Sequence, residues 1–122
     1  MVVVPDAGSN DYEQHKALKE RGIDVLVIDH HETDEISQNA CIINNQTCSY
    51  PNKTLSGVGM VYKFCSFLDE HLQTKYADDL LDLVAIGMVS DMMDLRDFET
   101  KELIERGMNR LRNPFVVAFS AA

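Results

Sequence analysis

The sequence predicts an α/β fold, a short parallel sheet with flanking helices, and three observations predict it. Two β-branched, apolar runs, residues 2–5 and 23–28, are too short to be helices and are joined by a polar stretch of helical character. Strands joined in this way pair in parallel through a right-handed crossover, so their carboxyl ends lie on one edge of the sheet. Each of these runs stops abruptly at a side chain able to do chemistry: Asp6 after the first, and Asp29-His30-His31 after the second. Open α/β sheets place their ligands at that edge.

In order along the chain, residues 2–5 read as a strand and Ala7-Gly8-Ser9 as a turn. Asn10 with Glu13 suggests a capping box for a helix running to about Arg21, with Gly22 as the residue that ends it. Residues 23–28 form the central strand, residues 32–39 a polar loop, and residues 40–44 a third strand. Residues 45–55, rich in Asn, Thr, Ser and Lys, read as an ordered surface loop. Ser56-Gly57 opens a helix to about Leu72, with Val58, Val61, Cys65, Leu68 and Leu72 as its buried stripe. Gly57 and Gly59 in its first turn allow close approach either of packed core or of a phosphate. Residues 77–89 form a helix that is acidic at first and then apolar on nearly every face, which suits the interior. It stops at Ser90-Asp91. Asp94 and Asp97 punctuate the next loop, and Asp97 caps a last helix from residue 98 to about 112, stopped by Asn113-Pro114. His15 and His71 read as solvated helix residues, and Lys63 as lying on a wet helix face.

A chain of 122 residues fits one modest domain. A formal charge of −9 repels polyanions and leaves no obvious basic face for nucleic acid. Acids that bind cations add to such a balance while drawing phosphates in through the metal. Cys41, Cys48 and Cys65 form no metal-binding spacing and read as reduced thiols of a cytosolic, cytoplasmic protein. No apolar run approaches the length of a membrane span.

Two adjacent histidines beside an acid cost desolvation when buried unless a divalent metal or a phosphate organises them; otherwise they mark an ordinary solvated strand end. Mixed carboxylate and imidazole donors suit Mn, Zn, Fe or Mg. A hydrolytic centre needs few protein ligands and open positions, together with a further donor for the phosphoryl charge.

Val27-Ile28-Asp29-His30-His31-Glu32 resembles the third motif of the DHH phosphoesterase superfamily. Val3-Val4-Pro5-Asp6-Ala7-Gly8-Ser9 sits where that family has its second motif, and Ala85-Ile86-Gly87-Met88-Val89-Ser90-Asp91 resembles the fourth. The stretch from Tyr50 to Phe64, with Leu55-Ser56-Gly57-Val58-Gly59, is most similar to the RecJ-type single-strand exonucleases. The likeness runs from Val2 to about Pro114. It implies that Asp6 bridges two divalent ions, Mn2+ or Mg2+, and that His30 and Asp91 bind one of them. His31 would contact the substrate phosphate, and Asp29 would orient the histidines or serve as an ordinary strand-end acid. The implied parent activity is 5′-to-3′ hydrolysis of single-stranded DNA in repair and recombination.

The sequence departs from the family in one respect: it contains no Asp-x-Asp, the family's first motif. The expectation is therefore a partial DHH domain over residues 1–114, with residues 115–122 starting a connection to a further domain. Such a fragment would be weak in nucleic-acid binding, inactive alone and prone to self-association. The alternatives are a phosphodiesterase for short oligonucleotides or cyclic dinucleotides, and a non-catalytic DHH-fold module that binds or regulates a partner.

Overall fold

The three β-branched, apolar runs are strands in the computed structural model, which describes residues 1–120. They are β1 (Val2–Pro5), β2 (Val25–Asp29) and β3 (Cys41–Asn44), in a sheet of order β1-β2-β3. Both pairings are parallel, with Val4 opposite Val27 and Asp29 opposite Asn44. Flanked on both sides, β2 carries the run of buried side chains expected of a central parallel strand: Val25, Val27, Ile28 and Asp29.

By its internal packing the chain divides into two units, Met1–Val61 and Tyr62–Ala122. In the first, α1 (Tyr12–Glu20) links β1 to β2. Its end forms as the sequence suggests. Gly22 adopts φ +71°, its amide donates to the Lys19 carbonyl and that of Ile23 to the Leu18 carbonyl, a pair of bonds that satisfies the last carbonyls. Its start does not. The N-cap is Asp11, with no side-chain cap bond, and the Asn10 side chain is used elsewhere: its Oδ1 accepts from the Tyr12 hydroxyl at 3.2 Å and its Nδ2 donates to the Glu32 carbonyl at 3.1 Å. His15, expected in solvent, is buried, and its Nδ1 has no hydrogen-bond partner among the described residues.

The loop after β3 is ordered because its amides hold it from within. Asn45, fully buried, donates to the Asn52 and Leu55 carbonyls, and the Lys53 ammonium donates to the Asn45 and Cys48 carbonyls. Leu55 beneath it is fully buried against Gly59, a burial that contributes about 1.5–3 kcal/mol. Helix α2 (Gly57–Leu72) then begins, with the Ser56 hydroxyl accepting from the Gly59 amide at 3.3 Å. Its buried side chains are Met60 and Tyr62, whereas Leu68 and Leu72, assigned to the buried stripe from spacing, are exposed. A helix with apolar residues on several faces offers more than one stripe, and periodicity alone does not choose among them.

In the second unit, a short 3-10 turn (Ala77–Leu80) leads into α3 (Leu81–Ser90). Leu81, Val84, Ala85 and Met88 are buried, but Leu83 and Val89 are exposed, so α3 is less enclosed than its composition suggests. Helix α4 (Phe98–Met108) packs on it through Gly107, where a side chain would collide with the Leu81 carbonyl and the Ala85 methyl. Asp97 caps α4 as expected, accepting from the Glu99 and Thr100 amides. The helix ends before residue 112, because Asp82 captures the Arg112 and Asn113 amides at 2.8 and 2.7 Å. Pro114 then opens α5 (Pro114–Ser120), a helix where the sequence reading expected a connection; residues 121 and 122 of that stretch lie outside the described residues. No helix among the described residues is long and apolar enough to cross a membrane.

Candidate metal centre

The parallel register brings the carboxyl ends of β1 and β2 together. The Asp6 amide extends the ladder by donating to the Ile28 carbonyl at 2.8 Å, so Asp6 stands beside the Asp29-His30-His31 turn. Asp6 adopts φ +58°, a left-handed conformation that costs an ordinary side chain about 1 kcal/mol and gathers at sites of function. The strain aims its carboxylate at the histidines. His30 Nε2 lies 3.3 Å from Asp6 Oδ1. Asp6, His30 and His31 each offer one ligand atom, and these atoms all fall within 4.8 Å of one another.

Space for that carboxylate comes from α2. A Cβ built on Gly57 would overlap the Asp6 carboxylate, so the first turn of α2 must be bare there. Of the two glycines weighed above, Gly57 thus serves the site and Gly59 serves the core, where a Cβ would meet the Leu55 side chain.

Asp29 does not project into the site. It is buried, and it accepts hydrogen bonds at both oxygens: Oδ2 from the Ser9 amide at 3.0 Å, and Oδ1 from the His30 and His31 amides. Oδ1 also meets His31 Nδ1 at 2.7 Å. Burial pushes its pKa up, but the hydrogen bonds from Ser9, the His31 ring and the His30 amide together outweigh burial and hold it well below the usual carboxylate range. Asp29 is therefore a fixed negative charge that orients the His30-His31 turn, with the two imidazoles 4.6 Å apart, centroid to centroid. Gly8, at φ +98°, makes the turn that lets the Ser9 amide reach it.

One oxygen donor and two nitrogen donors converge above a buried anion, a set that fits a divalent cation of intermediate hardness. Asp91 belongs to the second unit, where it follows α3 and is exposed. Asp94 is engaged by Arg96 through side-chain and main-chain bonds, in keeping with a loop role. Lys63 pairs with Glu99 at 3.0 Å. Reading the sequence for acids at strand ends missed Ser9 and Asn44. The signal for Asn44 was of the same kind, an apolar run, Ile42-Ile43, that stops at a polar side chain.

Residues 1–88 match the model of the DHH family, N-terminal domain. The chain is 44% identical over 117 residues to YorK, a prophage-derived protein of Bacillus subtilis named, by inference, as a single-strand DNA-specific exonuclease. It is 36% identical over 115 residues to the single-stranded-DNA-specific exonuclease RecJ of the same organism, and 31% identical over 126 residues to that of Escherichia coli. These alignments take in 92–95% of the chain but only 20%, 14% and 22% of the respective relatives, so the chain spans about a fifth of their length or less. The crystal structure of exonuclease RecJ bound to manganese has the same fold over 88% of this chain and 28% of that one, with a TM-score of 0.79 at 22% identity.

Proposed function

The chain belongs to the DHH family, and from that premise we propose that it supplies part of the metal centre of a RecJ-like enzyme hydrolysing phosphodiesters in single-stranded DNA from the 5′ end. The observation that carries this reading is the convergence of Asp6, His30 and His31 above the buried Asp29 carboxylate. Asp6 and His30 would hold a divalent cation, Mn2+ or Mg2+, and the family resemblance implies Asp91 as a further ligand. When bound, such a cation supplies charge for the phosphoryl oxygens and acidity for water. Asp29 keeps the His31 Nδ1 engaged, so the ring meets the substrate phosphate through Nε2. The 122 residues contain no Asp-x-Asp, and in a two-metal centre one ion is then left with few ligands. The remaining carboxylates, and the basic surface that an acidic chain of −9 lacks, belong to other parts of such an enzyme.

The test is a replacement. This chain, put in place of the matching segment of Bacillus subtilis RecJ, is expected to sustain Mn2+-dependent degradation of 5′-labelled single strands, with loss of 10²-fold or more on Asp6→Ala or His30→Ala. The 122-residue chain alone is expected to show little or no turnover. Turnover by the isolated chain comparable with the complete enzyme would contradict the partial-centre reading, and a chimera indifferent to Asp6→Ala would contradict the metal reading. Assaying short oligonucleotides and cyclic dinucleotides in the same panel separates a small-substrate enzyme. A folded chimera with no activity on any of them favours a non-catalytic module.

A further inference from the structure

Asn44, the last residue of β3, is as buried as any in the chain (0% exposed), and its side chain is fully engaged. Its Nδ2 donates to the Ser9 hydroxyl at 2.8 Å and to the His31 main-chain carbonyl at 2.9 Å, while its Oδ1 accepts from the Gln46 amide at 2.8 Å. Ser9 in turn gives its amide to Asp29 Oδ2, and the other Asp29 oxygen takes the His31 amide and ring. These bonds close a ring through Asn44, Ser9, Asp29 and His31. The His31 side chain is more than half exposed (58%), and its 2.7 Å bond to Asp29 is one of the contacts that orient the imidazole.

We propose that Asn44 is a positioning residue of the metal centre: its single buried amide clamps the Ser9 hydroxyl and the His31 carbonyl, and so holds the His30-His31 turn in register over Asp29. An amide is needed because the His31 carbonyl can only accept, whereas the Ser9 hydroxyl can donate or accept. Aspartate has the same shape but would turn a lone pair toward the His31 carbonyl and add a second charge near Asp29. Without the clamp the peptide after His31 is free to rotate, the Nδ1 bond to Asp29 weakens, and both imidazoles lose their fixed aim.

The test uses the full 122-residue chain with Asn44→Ala, Asn44→Asp and Ser9→Ala. A control, Val25→Ala, loosens the buried start of β2 at the opposite end of the sheet. The metal-free readout is the ring-nitrogen NMR of His31 at a pH where the imidazole is neutral. The parent is expected to carry its proton on Nδ1, and the Asn44 and Ser9 variants to shift toward the Nε2-protonated tautomer usual in solution. The second readout rests on the proposed function: Mn2+ affinity is expected to fall about tenfold in the variants and to stay unchanged in Val25→Ala. Folded Asn44 or Ser9 variants with the parent tautomer would overturn the proposal, as would a Val25→Ala control showing the same shift. Should neither Asn44 variant fold, Ser9→Ala decides, since it opens the same ring at another bond. A parent chain that binds no Mn2+ would remove the metal reading and leave the tautomer measurement to judge Asn44.

Discussion

Asp6 holds its conformation because its neighbours leave it few others. It is left-handed at φ +58°, its amide is tied to Ile28, and its carboxylate occupies the space a side chain on Gly57 would fill. That contact predicts a separation of effects. Gly57→Ala forces the Asp6 carboxylate to swing away, and because the added methyl also comes within 2.7 Å of Asp6 Cβ the main chain must shift, which offsets the helix preference of alanine of up to about 1 kcal/mol. Mn2+ affinity measured by titration should therefore drop about tenfold while the thermal midpoint falls only modestly. A fall in midpoint with unchanged affinity would mean that Gly57 serves packing. At this scale the acids and imidazoles were legible in the sequence because apolar runs stop at them. Ser9, Asn44 and His15 were not: a hydroxyl or amide becomes part of a site through bonds to residues 13 to 35 positions away, and a polar residue on a short helix gives no sign of which side is covered.

The elements follow their local chemistry where it is unopposed and yield where another partner competes. β1, β2 and β3 appear where β-branched runs put them, and Asp97 caps α4 because no other donor claims it first. Asn10 fails to cap α1 because the Tyr12 hydroxyl takes its Oδ1, and α4 stops short of residue 112, where Asp82 takes the Arg112 and Asn113 amides. Asp82 is buried, and the Asn113 and Arg112 amides hold its pKa below the ordinary carboxylate value. A depressed folded-state pKa contributes stability that is present above the unfolded value, about 3.9, and is lost as pH falls through the folded value. Denaturant midpoints followed from pH 6 down to pH 2 should therefore fall more steeply for the parent than for Asp82→Asn. The variant should start about 1–3 kcal/mol lower, since it weakens two buried amide bonds. Equal pH slopes for the two proteins would show that Asp82 carries none of the acid sensitivity.

For the whole molecule, the sheet and the family were legible early because four short motifs keep their order across most of the chain. How the apolar surface is covered was not legible, since composition does not say what packs on what. β1 is an edge strand with Val2 and Val3 exposed, and α5 exposes Phe115, Val117 and Phe119. An open edge and bare aromatic surface favour association, which the net charge of −9 opposes at low salt. Sedimentation should show concentration-dependent self-association that strengthens as salt rises. A monomer at high protein and high salt would mean that these surfaces are not adhesive.

The most direct test of the central claim, that Asp6 and His30 hold a divalent cation beside His31, is a Mn2+ titration of the chain followed by the imidazole NMR signals of His15, His30, His31 and His71. Paramagnetic broadening is expected at His30 and His31 at the lowest Mn2+ additions, ahead of His15, with the effect abolished by Asp6→Ala. Broadening spread evenly over all four histidines, or persisting at His30 after Asp6→Ala, would contradict it.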